Sequence, residues 1–103
     1  DTLNILTGIN SNNNVPVSFS LEQNYPNPFN PSTLIKYSLS ENTSVRLSVY
    51  DVLGREVAVL VNEFKTSGSY EVSFSGDDLS TGVYYYRLDA GTFVETKKML
   101  MIK

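Results

Sequence analysis

The chain has 103 residues, enough for one domain with one core, and carries a formal charge of −3. It contains no cysteine and no histidine, which excludes a disulfide framework, a thiolate metal site and imidazole catalysis. The eight cationic residues are scattered apart from Lys97 and Lys98, so the basic face that duplex nucleic acid requires is missing.

Charged residues make up 18% of the chain, below the usual quarter or so, leaving Ser, Thr and Asn to solvate the surface. Seven tyrosines and five phenylalanines favour strands over helices. No run of 18 apolar residues exists, so no membrane-spanning helical segment is expected. The first residues, "DTLNILTGIN", lack the basic and apolar regions of a signal peptide. They open without an initiator Met, as a chain beginning inside a longer protein would.

Residues 1–18 read as a linker or the end of a preceding domain. A weak strand over Leu3–Leu6 is followed by a polar run, with Asn10 and Asn12–Asn14 too polar to bury. "FSLEQ" (19–23) alternates as a short edge strand does. "NYPNPFNP" follows: Asn24, Tyr25, Pro26, Asn27, Pro28, Phe29, Asn30 and Pro31. Its prolines are expected to hold the chain extended, its asparagines to cap local turns, and Tyr25 and Phe29 to pin it to the core.

From Ser32 the period-2 signal is strong. "STLIKYSL" puts Thr33, Ile35, Tyr37 and Leu39 on one face, and "SVRLSVY" does so with Val45, Leu47 and Val49. "ENTS" (41–44) is expected to join these two strands as a hairpin. "DVLG" supplies another reversal, with Gly54 at a position suited to positive φ. "REVAVLV" is a strand with Val57, Val59 and Val61 on one face and apolar Ala58 and Leu60 on the other. "SYEVSFS" alternates Tyr70, Val72 and Phe74 inward, and "GDDLSTG" is a polar connection anchored by Leu79. "GVYYYRLD" and "TFVETKKMLMIK" form a hairpin through Ala90 and Gly91. The last strand ends in "MLMI", apolar on both faces. That suits either a central strand buried twice over or a terminal strand that adds to a receptor's sheet.

Six clear strands, one or two weaker ones and no helix give an all-β, Ig-like antiparallel β-sandwich of about seven strands; a closed barrel is the alternative.

Sites of chemistry are scarce. Asp77 and Asp78 offer a carboxylate pair, or with Asp51 or Asp89 oxygen ligands for Ca²⁺, but no Asp-x-Asp-x-Asp loop is present. No cofactor is expected. Tyr37, Tyr50, Tyr70 and Tyr84–Tyr86 are candidates for a sugar-stacking platform, against which stands the ordinary use of Tyr in strands. An accessory carbohydrate- or surface-binding module and a structural Ig-like assembly unit are therefore the alternative functions.

Taken together, "FSLEQNYPNPFNPSTLIKYSL", "VRLSVYDVLGREVAVLV" and "SYEVSFSGDDLSTGVYYYRLDAGTFVETKKMLMIK" resemble a type IX secretion system C-terminal sorting domain of the type A family, over about residues 19–103. The family's tight-turn element maps to Tyr50, Asp51 and Gly54, and its second element to Leu79, Ser80, Gly82, Val83 and Tyr84. Its terminal element maps to Lys98, Met99, Leu100, Met101, Ile102 and Lys103. Many relatives carry Trp where this chain has Phe74. The resemblance implies a non-enzymatic signal on a secreted cargo of Bacteroidota or related bacteria. Its partners would be the outer-membrane type IX translocon, with its shuttle and sortase-like components, and the covalently fused N-terminal cargo. The cargo would reach the cell surface or medium through the periplasm. In many members the domain is removed and replaced by a surface-lipopolysaccharide anchor; Thr7–Ser18 is the polar stretch where such cutting would fall.

Overall fold

The computed structural model describes residues 15–103. The expected strand at Leu3–Leu6 and the asparagine tether at Asn10–Asn14 lie outside the described residues.

The fold is all-β, with seven strands and no helix among the described residues. They are β1 (Ser20–Leu21), β2 (Ser32–Leu39), β3 (Thr43–Tyr50), β4 (Glu56–Lys65), β5 (Gly68–Ser75), β6 (Gly82–Ala90) and β7 (Phe93–Met101). A three-stranded sheet runs β1-β2-β5 and a four-stranded sheet runs β4-β3-β6-β7, antiparallel throughout. The arrangement is the expected sandwich, with no closed barrel.

Alternation decides which side chains meet between the sheets. From β2 come Thr33, Ile35, Tyr37 and Leu39, and from β3 Val45, Leu47 and Val49, all buried. Leu21 of β1, Phe29, Phe74 of β5, Tyr84, Tyr86, Leu88 and Ala90 of β6, and Met99 and Met101 of β7 complete the core. Each fully buried Ile or Leu contributes about 1.5–3 kcal/mol. Tyr37 stacks on Tyr70 at 5.4 Å, and Phe29 meets Phe74 edge-on at 6.1 Å.

Three expectations need correction. "ENTS" is not a hairpin turn: β2 and β3 belong to different sheets, so the chain crosses the sandwich there. Both sides of β2 are taken by β1 and β5, and both sides of β3 by β4 and β6. Asn42 Oδ1 accepts the Ser67 N–H at 2.8 Å, tying this crossing to the one from β4 to β5. A sheet-switching arch and a hairpin turn have the same local polarity, so pattern alone does not separate them.

β4 is a strand, but its face assignment shifts. Register breaks against Leu47/Ser48 and Val49/Tyr50 insert extra residues, so Ala58, Leu60 and Val61 all pack against the core while Val57 and Val59 face solvent. Finally, β7 is an edge strand rather than a central one. Met99 and Met101 are buried, whereas Leu100 and Ile102 are 37% and 44% exposed.

Candidate functional site

The proline–asparagine segment before β2 is built into the sandwich, although it does not run extended. It bends at Pro26–Pro28 and again at Asn30–Pro31, and the Tyr25–Pro26, Asn27–Pro28 and Asn30–Pro31 peptides are cis. Its path is fixed by hydrogen bonds. Asn24, 2% exposed, donates through Nδ2 to Thr33 Oγ1 at 3.0 Å and to the Pro26 carbonyl at 3.1 Å. Thr33 Oγ1 donates to the same carbonyl at 2.8 Å. The Asn24 N–H donates to the Tyr86 hydroxyl at 2.8 Å, and that hydroxyl donates to the Glu22 carbonyl at 2.7 Å. Burial pushes the Tyr86 phenol up to about 12, only partly offset by the bond from Asn24. Phe29 is the apolar anchor, 2% exposed, as expected. Tyr25 is not: its side chain is 79% exposed, and it joins the fold through backbone bonds to Leu34.

This segment also closes the outer edge of β7. The Phe29 N–H donates to the Leu100 carbonyl at 3.0 Å, and Ile102 N–H to the Phe29 carbonyl at 2.9 Å. Asn27 Oδ1 accepts the Leu100 N–H at 3.0 Å, and Gln23 Nε2 donates to the Lys98 carbonyl at 2.7 Å. Strand addition by a receptor along Lys98–Ile102 would therefore have to displace bonds already made. What the terminal element presents outward is side chains.

The β3–β4 turn is organised by Asp51. Its Oδ1 accepts from Leu53 N at 2.9 Å and Arg55 N at 3.0 Å, while Oδ2 accepts from Arg55 Nε at 2.8 Å. These bonds, the Arg55 backbone N–H foremost, hold the carboxyl below the usual aspartate range. Gly54 takes φ 81, as the turn requires. Tyr50 lies on the outer sheet face, 5.3 Å from the Arg87 guanidinium and 3.1 Å from Ser48 Oγ.

The β5–β6 connection packs against the same end. Leu79 rests on the core, and the Tyr84 hydroxyl donates back to the Ser80 carbonyl at 2.6 Å, the tyrosine-corner device of Ig-like sandwiches. Tyr70 makes the same bond to Thr66 at 2.6 Å. Gly76 N–H donates to the Pro31 carbonyl at 2.9 Å, and a Cβ there would run into Met101 Sδ. Lys103 closes the end: its N–H donates to Thr81 Oγ1 at 3.1 Å and its Nζ to the Asp77 carbonyl at 2.9 Å.

The three elements named from the sequence thus meet at one pole. A cleft of about 400 Å³ has the β3–β4 turn on one side and Asp78–Tyr84 on the other. Gly82 pairs with Met101 and Val83 with Leu100, which joins the second element to the third. A smaller pocket of about 150 Å³ between Asn27, Val83 and Lys98–Leu100 adds the proline–asparagine segment. Sequence reasoning missed Gln23, Thr33, Gly76, Thr81 and Tyr86 as parts of this assembly.

Residues 23–103 match the secretion system C-terminal sorting domain family. The chain belongs to that family. No curated protein and no solved structure gives a significant match. As a type IX sorting domain it marks a secreted or cell-surface cargo and interacts with the type IX secretion system. The match begins at Gln23, the residue whose side chain reaches Lys98 of the sorting domain's last strand. Of the tyrosines considered for a sugar-stacking platform, Tyr37, Tyr84 and Tyr86 are buried, whereas Tyr50, Tyr70 and Tyr85 are half-buried. No three acidic side chains converge among the described residues.

Proposed function

We propose that this domain is the address by which an N-terminally fused cargo, delivered to the periplasm by the general secretory route, is passed through the outer-membrane type IX translocon. The observation that carries the reading is the convergence at one pole of segments far apart in sequence: Tyr50–Gly54, Leu79–Tyr84 and Lys98–Lys103. Shuttle and translocon components would read the side chains of this pole, with Gly54 and Gly82 shaping its backbone and Asn24–Pro31 bracing it from behind. Residues 1–18 serve as the tether between the cargo and the sorting domain of residues 19–103. Within that tether, Thr7–Ser18 is where a sortase-like peptidase of the cell surface would cut and exchange the domain for a lipopolysaccharide anchor. The producing cell is then a member of the Bacteroidota or a related group with that outer-membrane apparatus.

Removing Leu100–Lys103 is a poor test, because it also removes buried Met101. Exposed Ile102 separates signal from fold: Ile102→Asp leaves every fully buried side chain, and both bonds of Lys103, in place. The cargo is expected to stay folded and accumulate in the periplasm; normal export of this variant would contradict the reading. Mass spectrometry of the secreted cargo tests cutting separately: an intact C-terminus would show that the domain stays attached.

A further inference from the structure

Strand-joining turns are dominated by Gly, Asn, Asp, Ser and Pro, and the first four solvate or relax the backbone there. The β3–β4 turn departs from this at its tip, where Val52 and Leu53 are 66% and 74% exposed. Their backbone is nevertheless held on both sides. Besides the two N–H groups bonded to Asp51 Oδ1, Gly54 N–H donates to the Asp51 carbonyl at 3.0 Å, and Asp51 N–H to the Arg55 carbonyl at 2.9 Å. An apolar pair that is exposed yet already ordered loses little freedom when it is covered, which is how a preformed binding anchor differs from a loose hydrophobic loop.

The tip is also continuous with the pole described above. It walls the 400 Å³ cleft opposite Leu79 and Val83, and Val83 pairs with exposed Leu100 on the terminal strand. The charges nearby argue against an anionic lipid surface as the occupant. Arg55 is engaged by Asp51, and Asp78 on the far wall is acidic.

We infer that Val52 and Leu53 form a preformed apolar anchor that seats in a hydrophobic groove on a protein of the secretion machinery, with Asp51 and Gly54 as its frame. The inference rests on the proposed function, since the machinery is the occupant only if this pole is what is read. Within the tight-turn element, the recognition contact is then made by the two residues between Asp51 and Gly54.

The test is the full chain carried at the C-terminus of a periplasmic reporter in a type IX-competent strain. Val52→Ser with Leu53→Ser should leave the melting temperature unchanged and lower the exported fraction about tenfold. Phe64→Ser and Val94→Ser remove apolar side chains of similar exposure at the other end of the sheet, beside Ser44 and Asp89, and should export as the unsubstituted chain does. If the double variant melts lower, Leu53→Gln alone, with its backbone bonds kept, supplies the comparison. A folded tip variant that exports normally overturns the anchor. So does self-association of the domain in sedimentation that the tip substitutions abolish while export is kept, since the occupant would then be a second copy. Failure of the unsubstituted fusion to export removes the proposed function itself, a result distinct from failure of the tip variants alone.

Discussion

Replacing Tyr86 with Phe removes one oxygen from the interior and leaves the ring in place. That oxygen accepts the Asn24 N–H at 2.8 Å and donates to the Glu22 carbonyl at 2.7 Å. Without it the Asn24 amide is a buried donor lacking its partner, a loss of about 1–3 kcal/mol. The Glu22 carbonyl belongs to an exposed residue and can turn to water, so its share is smaller. The sum is about 2 kcal/mol, equivalent to a fall of about 8–16 °C in melting temperature for a domain of this size. Urea unfolding followed by circular dichroism measures it, and hydrogen exchange at Asn24 reports whether the loss sits in the lead-in segment. A destabilisation below about 0.5 kcal/mol would refute the idea that this hydroxyl fastens the segment to the sandwich.

The same phenol gives a pH signature: its folded value is raised above 10, so its contribution is complete below pH 10 and is lost as pH rises toward about 12; the Tyr86→Phe chain should lack that component of alkaline unfolding. Phe29→Ala empties a 2%-exposed site against Phe74 and should cost about 3–5 kcal/mol in chemical denaturation, with faster amide exchange at Leu100 and Ile102. Gly76→Ala drives a methyl group toward fully buried Met101 and should cost about 1–3 kcal/mol by the same measurement. The Asp51 carboxyl is held below its usual range, so its support of the turn is present above about pH 4 and lost on acidification through the folded value; Asp51→Ala should be less stable at pH 7, with the gap closing in acid as monitored by thermal melts.

Most of the architecture was legible because the strands alternate cleanly. Thr33, Ile35, Tyr37 and Leu39 read as an inward face from spacing alone, and all four are buried. β4 resisted that reading because bulges opposite Leu47/Ser48 and Val49/Tyr50 break the period that identifies a face. Sheet membership resisted it too: nothing local to Glu41–Ser44 says whether the next strand pairs beside β2 or across the core. At the pole, Asp51 and Gly54 announce themselves through turn chemistry, whereas Gly76 looks like any turn glycine until Met101 is placed against it. The proline–asparagine segment shows both sides of this. Its rigidity was evident from composition, and Phe29 was correctly singled out as a pin. Its clasp on the β7 edge depends on residues about seventy positions apart, Gln23 with Lys98 and Asn27 with Leu100, and no local pattern encodes that pairing.

The most direct test is sufficiency. The full chain fused behind a folded periplasmic reporter should carry it to the cell surface or medium in a type IX-competent strain, and leave it in the periplasm when the translocon is deleted. A correctly folded fusion that remains periplasmic in the competent strain, or that leaves the cell without the translocon, would contradict the account.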